Sequence, residues 1–188
     1  MGKIDRKSIK VLWVSLVKFP PLCEHLGETI PAHCGWMYSS AKALLRVMPE
    51  VRLGVMVYSY GRSYERYEID GVTYYLIPTG RIDRTSKKQI ETCRRAIRDF
   101  APDLMHIHGT EHSLAKAACV ANENGTRVVA NIQGLAGPYM RYADGGLSLW
   151  NKWTNITPLD FYRGTFLLNA KRNFKHRAEC ENYVLTYI

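Results

Sequence analysis

The sequence lacks the short motifs that mark the commonest nucleotide sites and hydrolases. Its 188 residues contain no G-x-G-x-x-G and no G-x-x-x-x-G-K-[ST], so neither a dinucleotide fingerprint nor a P-loop is present. No G-x-S-x-G elbow occurs either, which argues against a serine hydrolase of the α/β type. The five cysteines form no C-x-x-C pair, and their odd number disfavours a disulfide framework.

Long apolar runs and a leader sequence are also missing. Residues 11–16 form an apolar run that is far too short to span a bilayer, and Lys18 and Pro20 follow it closely. Together with the cysteine usage, this predicts a cytoplasmic protein in a reducing compartment. With 46% hydrophobic and 23% charged residues, we expect residues 1–188 to form one globular domain.

Acidic residues are scarce, which leaves a formal charge of +9. A phosphorylated substrate, an anionic membrane surface and nucleic acid would all suit such a charge, and so would a solvated basic face. No nucleic-acid reader motif accompanies the charge, so we expect no nucleic-acid partner. The basic residues gather in two groups, Arg94, Arg95 and Arg98, and Lys171, Arg172, Lys175 and Arg177.

Short β-branched runs alternate with segments of helical periodicity along the chain. This alternation predicts an α/β, Rossmann-like, doubly wound and mostly parallel sheet, with helices on both faces and a β-hairpin around Asp70-Gly71. The predicted strands are 10–16, 51–58, 67–69, 72–78, 104–108, 127–132 and 183–188. The predicted helices are 35–48, 87–100 and 111–123, followed by amphipathic helices in 147–174.

The strand predicted at 104–108 ends in a glycine turn and delivers polar residues to the carboxyl edge of the sheet, where open α/β sheets bind ligands. His108 lies just before Gly109, and Thr110 or Ser113 is a candidate cap for the next helix. His106, His108 and His112 form H-x-H-x-x-x-H, which keeps a metal-dependent hydrolase open as an alternative. No further ligand cluster completes that set, so we expect His106 to be packed and no metal to be bound.

Residues 19–36 form a long loop between the first strand and the first helix. Loops of this length in compact domains are usually binding elements. Gly35, at the start of the helix, would let a phosphate or a sugar approach free backbone N–H groups. We therefore expect this loop to take part in binding.

Five segments together resemble the amino-terminal domain of family 4-like glycosyltransferases of the GT-B fold. They are K-V-L-W-V-S, G-W-M-Y-S-S-A-K-A-L, D-G-V-T-Y-Y-L-I-P, P-D-L-M-H-I-H-G-T and V-V-A-N-I-Q-G-L. The resemblance runs from about Lys10 to the end of the chain. It implies two Rossmann-like domains that face a cleft, with retaining transfer of a hexosyl group from a nucleotide sugar and no metal or other cofactor.

The resemblance also implies roles for particular residues. Gly35 and Trp36 would border the donor phosphate and the acceptor, and His108, Gly109 and Thr110 would line the acceptor side. Gln133 and Gly134 would also contact substrate, with Gln133 at the position where many family members carry a histidine that touches the reacting sugar. An amide donates and accepts hydrogen bonds but does not carry protons.

The family's second domain, which holds the nucleotide sugar, is not in this sequence. We therefore expect the chain to be the acceptor-binding half of an enzyme of polysaccharide or glycolipid synthesis, inactive alone, with a sugar or a lipid-linked acceptor as its partner. A noncatalytic carbohydrate- or anion-binding module is the alternative. Residues 150–177 mix tryptophan with lysine and arginine, which predicts peripheral contact with the inner membrane face.

Overall fold

The computed structural model describes residues 8–80, 84–132, 134–142, 145–159 and 167–188, and for residues 167–173 only the backbone is considered. Strands are β1 Ile9–Ser15, β2 Val51–Tyr60, β3 Glu65–Ile69, β4 Val72–Thr79, β5 Leu104–His108 and β6 Arg127–Asn131. Helices are α1 Pro20–Leu26, α2 Gly35–Val47, α3 Lys87–Phe100, α4 Ser113–Ala121, α5 Ala136–Tyr142, α6 Leu149–Thr154 and α7 Leu167–Tyr187, with a 3-10 turn at Ala32–Cys34.

The six strands form one sheet in the order β3-β4-β2-β1-β5-β6. All neighbouring pairs are parallel except β3 and β4. After β1, the chain adds β2 and β4 on one side of β1. It then passes through α3 and adds β5 on the other side of β1. This reversal is the Rossmann-like topology that the sequence predicts, so the predicted fold class is confirmed.

The predicted hairpin is also confirmed. Asp70 and Gly71 join β3 to β4, and both have positive φ angles, of 51° and 75°. Positive φ at both central residues belongs to the tight turn whose twist matches that of the flanking strands. The hairpin places β3 as the antiparallel edge of an otherwise parallel sheet.

The sheet separates two apolar layers. Helices α1 and α2 cover one face, and α3, α4 and α7 cover the other. Alternate residues of β1 serve the two layers, as a strand requires: Val11 and Trp13 pack toward α2, whereas Leu12 and Val14 pack toward α3 and α4. The helices therefore lie on both faces of the sheet.

The predicted loop 19–36 is wrong in part, because residues 20–26 form α1. Its two prolines are compatible with a first helical turn, where a missing N–H costs nothing. Gly27 ends the helix with a φ of 66°, and its N–H reaches the carbonyl oxygens of Cys23 and Glu24. The segment is thus a short helix and a 3-10 turn rather than one long loop.

The strand predicted at 183–188 is also wrong. Helix α7 continues to Tyr187 and packs against α4 and α5. It buries Ala178, Glu181 and Val184, which recur every three residues and so share one face of the helix. Packing of this face outweighs the local preference of aromatic and β-branched residues for strands.

No helix in the described ranges has both the length and the apolar character needed to cross a bilayer.

Candidate functional site

The reversal of strand order creates a crevice where the chain leaves β1 and β5. These strands are neighbours, with Trp13 opposite His106 and Val14 opposite Ile107. The connection after β1 leads toward α2, whereas the connection after β5 leads to α4 on the other face. Crevices at such a point, at the carboxyl ends of the strands, are where open α/β sheets bind ligands. Ser15 and His108 are the last strand residues there.

His108 lies at the centre of a group of aromatic rings. Its ring centroid is 4.4 Å from that of Trp13, 4.0 Å from that of His106 and 6.1 Å from that of Trp36. His106 and His108 share a face because they are two residues apart in a strand. His108 is only 5% exposed, while Trp36 is 47% exposed. The ring group thus extends from the buried His108 to the exposed Trp36.

The His108 imidazole is neutral near pH 7. Burial lowers its pKa from 6.5 to about 4, with a smaller contribution from the nearby His106. A neutral imidazole offers one donor and one acceptor, yet neither ring nitrogen has a hydrogen-bond partner among the described residues. The same holds for the Trp13 Nε1 and the Thr110 Oγ1. Several polar atoms at this edge are therefore buried without a hydrogen-bond partner among the described residues.

The three histidines of the H-x-H-x-x-x-H pattern do not converge. The His112 Nε2 lies 3.1 Å from the Glu111 Oε1 instead of joining His106 and His108. Within the described residues, no group of three or more histidine, cysteine or carboxylate side chains is arranged to hold a metal ion. The described geometry gives the metal-dependent hydrolase alternative no support.

Gly109 makes the turn that follows β5. Its φ is 90°, and its N–H donates to the Asn131 carbonyl oxygen at 3.1 Å, which ties the turn to β6. Thr110 does not cap α4, and Ser113 is its first residue; the Tyr58 hydroxyl instead accepts from the Leu114 N–H at 2.9 Å. The expected cap from Thr110 or Ser113 is therefore wrong, because a residue from β2 already fills that position.

Gly35 and Trp36 open α2 beside the same crevice. No side chain caps the start of α2, so its first N–H groups have no side-chain acceptor. Both residues are exposed, and a Cβ placed on Gly35 would meet no atom within 4 Å. The structure thus brings Trp36 together with His108 and leaves open backbone at Gly35.

Of the remaining predicted residues, Gln133 lies outside the described part of the chain. Gly134 lines a cavity of about 320 Å³ that adjoins the turn after β5. The sequence motifs gave no site role to Glu111, Trp13 or Tyr139. Alternation along β1 places Trp13 on the α2 face, but only the structure shows that it lies opposite His106 and that its ring meets His108.

A second cavity, of about 410 Å³, opens at the amino ends of the strands around Lys10, Arg66 and Asp99. Arg66 and Asp99 are paired within the protein: the Arg66 Nε lies 3.1 Å from Asp99, and the Tyr75 hydroxyl donates to Asp99 at 2.6 Å. The Lys10 Nζ donates to the Phe100 carbonyl oxygen at 3.2 Å. Despite its larger volume, this cavity lies at the end of the sheet where ligands are not expected.

The arginines of α3 are largely engaged within the protein. Arg94 and Arg98 both reach Glu123, at 2.8 Å and 3.4 Å, and Arg95 lies over the Tyr64 ring at 4.4 Å. Such pairing reduces the field that an anionic partner would sense from Arg94 and Arg98. The charge cluster predicted at α3 is therefore chiefly part of the protein's own ion pairs.

Strand order, two-sided helix packing and a crevice at the reversal point define a Rossmann-like α/β domain. No family model and no curated protein matches the sequence. Matching solved structures include a chain described as "Trehalose-6-phosphate from E. coli bound with UDP-2-fluoro glucose", with 10% identity and a TM-score of 0.40. The match covers 65% of this chain and 32% of that chain, so this chain spans about a third of its length. A likeness this low carries no functional argument, and the family 4-like resemblance stays a prediction from the motifs.

Proposed function

We propose that this chain is the acceptor-binding half of a retaining GT-B glycosyltransferase of the family 4-like type. The observation that supports the proposal is the ring group at the carboxyl ends of β1 and β5, where His108 lies 6.1 Å from Trp36 at the start of α2. These are the positions that the sequence motifs assign to substrate. The donor would be a nucleotide sugar held by a second domain, and the pathway would be the synthesis of a polysaccharide or a glycolipid.

The chemistry of the crevice suits an acceptor better than it suits a reacting base. His108 is neutral and buried, so it would donate one hydrogen bond and accept another from sugar hydroxyls without carrying charge. Trp36 would supply an apolar face to the sugar ring. The N–H groups at the start of α2, which no side chain caps, would face the donor phosphate from across the cleft. Gln133, at the position of the family histidine, would bind a hydroxyl as an amide.

A binding and transfer experiment on the 188-residue chain tests the proposal. The ¹⁵N-labelled protein is titrated with methyl α-glucoside, methyl α-mannoside and methyl β-galactoside, and separately with UDP-glucose. We expect at least one glycoside to shift the Trp36 indole resonance, more strongly than UDP-glucose does, and no sugar transfer from UDP-glucose to that glycoside. The variant His108→Gln should weaken glycoside binding, whereas His25→Gln in α1 should not.

Two results would contradict the proposal. One is sustained sugar transfer from UDP-glucose by this chain alone, because the proposal assigns the donor site to another domain. The other is a site at Trp36 and His108 that binds UDP-glucose more tightly than every glycoside. Glycoside binding that persists unchanged in His108→Gln would move the acceptor site away from the crevice.

We further propose that the acceptor is presented at a membrane surface. The support is α6, where Trp150 and Trp153 are 76% and 61% exposed and flank Lys152. Tryptophan beside lysine suits the interface of an anionic bilayer, and the chain's charge of +9 complements it. The other residues of 150–177 lie partly outside the described ranges and add nothing to this argument.

Liposome flotation tests the membrane proposal. We expect co-flotation with vesicles that contain phosphatidylglycerol, less with neutral vesicles, and loss of flotation in a Trp150→Ser, Trp153→Ser double variant. Tyr60→Ser, which changes another exposed aromatic residue, is the matched control. Recovery of the unmodified protein only in the soluble fraction would remove the membrane proposal and leave the acceptor proposal intact.

A further inference from the structure

A cavity beside the crevice has features that identify the kind of acceptor group it would hold. Its volume is about 320 Å³, within the range of small-molecule sites. It opens where the chain leaves β5 and β6, and thus at the ligand-binding edge of the sheet. Its walls come from the turn after β5, from the start of α5 and from α7, through Glu111, Gly134, Ala136, Tyr139, Phe174 and Arg177.

Two aromatic rings form an apolar surface on the cavity. The Tyr139 and Phe174 centroids are 6.3 Å apart, and their planes are inclined by only 32°. Ring faces carry negative charge density, which attracts the weakly positive C–H groups of one face of a pyranose. Tyr139 is exposed, so its ring surface is accessible to a ligand. The aromatic pair therefore favours a flat ring with C–H groups over a chain of charged groups.

The charged lining of the cavity is balanced. The hydrogen bond from His112 lowers the pKa of Glu111, so this carboxylate is ionised near neutral pH. Its Oε2 is buried and has no hydrogen-bond partner among the described residues. Arg177 contributes the opposite charge, and its guanidinium lies 5.9 Å from the Phe174 ring centre. One anion and one cation together suit an uncharged ligand that both donates and accepts hydrogen bonds.

A phosphorylated ligand would fit this cavity poorly. Arg177 would attract its phosphate, but the ionised Glu111 would repel it at short range. Hydroxyl groups have no such conflict, because they donate to the carboxylate and accept from the guanidinium. A sugar ring offers this combination, with hydroxyls at its edge and C–H groups on its face.

We propose that this cavity binds an uncharged pyranose ring of the acceptor, with the ring against Tyr139 and Phe174 and its hydroxyls on Glu111 and Arg177. The inference rests on the proposed function and narrows its acceptor to a neutral saccharide at this position. The cavity is distinct from the ring cluster at His108 and extends the same edge of the sheet.

Titration of the ¹⁵N,¹³C-labelled protein tests the inference. The probes are methyl α-glucoside, methyl α-mannoside, methyl β-galactoside, glucose 1-phosphate and inorganic phosphate. We expect a glycoside to shift the ring resonances of Tyr139 and Phe174, and to bind more tightly than glucose 1-phosphate. Loss of a hydrogen bond to a charged group predicts about tenfold weaker binding in Glu111→Gln. Loss of a stacked ring predicts about fivefold weaker binding in Tyr139→Ala.

Glu179→Gln is the matched control, because Glu179 is an exposed carboxylate on α7 that does not line the cavity. Tyr139→Ala changes an exposed side chain, so its result stands even if Glu111→Gln perturbs the turn. Tighter binding of glucose 1-phosphate or phosphate, or failure of all three glycosides to shift Tyr139 and Phe174, would overturn the inference. Glycoside shifts at Trp36 without shifts at Tyr139 would overturn this inference alone and leave the proposed function standing.

Discussion

Glu181 holds the wall of the cavity in place, and its removal makes a sharp prediction. The side chain is only 2% exposed. Its carboxylate accepts from the Ala136 N–H at 2.7 Å and from the Gly137 N–H at 3.2 Å. These are the first two residues of α5, whose N–H groups have no partner within the helix. Glu181 thus joins α7 to α5 beside Gly134.

The magnitude follows from the two hydrogen bonds. A hydrogen bond to a charged group contributes about 1.5 kcal/mol or more, and an orphaned buried N–H costs a similar amount. We expect Glu181→Ala to lower the free energy of unfolding by about 3 kcal/mol, and Glu181→Gln, which keeps one acceptor oxygen, by about 1.5 kcal/mol. Urea denaturation measures both changes. Hydrogen exchange of the Ala136 and Gly137 amides should accelerate before exchange in the sheet does.

Glu179→Gln is again the control, because Glu179 is exposed and lies 3.7 Å from His176. Surface changes of this kind alter stability by less than about 0.5 kcal/mol. Two results would contradict the prediction. One is a free energy of unfolding for Glu181→Ala within about 0.5 kcal/mol of that of the unmodified protein, and the other is unchanged protection of the amides at 136 and 137. Either result would mean that Glu181 does not stabilise the contact between α5 and α7.

Three further predictions concern stability. The pKa of His108 is about 4 in the folded protein and 6.5 in the unfolded chain. As the pH falls below about 6.5, the unfolded chain therefore takes up a proton before the folded protein does. The free energy of unfolding is highest above about pH 6.5 and decreases by about 3 kcal/mol as the pH falls to 4. His108→Gln should flatten that slope in urea titrations at several pH values, and an unchanged slope would contradict it. Gly54→Ala would bring a Cβ within 2.9 Å of Leu12 and Phe100, and should lower the melting temperature through an overpacking cost of about 2 kcal/mol. Gly109→Ala should cost about 1 to 2 kcal/mol in urea titration because its φ is 90°, and a neutral result would mean that the turn after β5 relaxes.

Local patterns in the sequence were sufficient for most of the sheet. The strand predicted at 104–108 has the same bounds as β5, and the helix predicted at 87–100 has the same bounds as α3. Ser86 precedes α3, and its side chain accepts a hydrogen bond from the Gln89 N–H. In both segments, the spacing of the apolar residues and the residues at the boundaries favour the same secondary structure that the tertiary fold contains. The Asp70-Gly71 turn is equally local, because its geometry depends on those two residues.

The errors lie where packing or brevity overrides local preference. Residues 183–188 have strand-like composition, yet Val184 is buried in a helix that packs on α4 and α5. The helix at 20–26 is short and begins with two prolines, so its apolar period is too brief to distinguish it from a loop. The same holds for the site. The local sequence places His108 at the end of a strand, just before a glycine turn, but the contact between His108 and Trp36 depends on how α2 packs against the sheet.

A crystal structure of the chain soaked with the tightest-binding methyl glycoside tests the central claim most directly. We expect electron density for the sugar at the carboxyl ends of β5 and β6, against Tyr139 and Phe174, with hydroxyls on Glu111 and Arg177. Sugar density in the cavity around Lys10, Arg66 and Asp99, at the opposite end of the sheet, would contradict it.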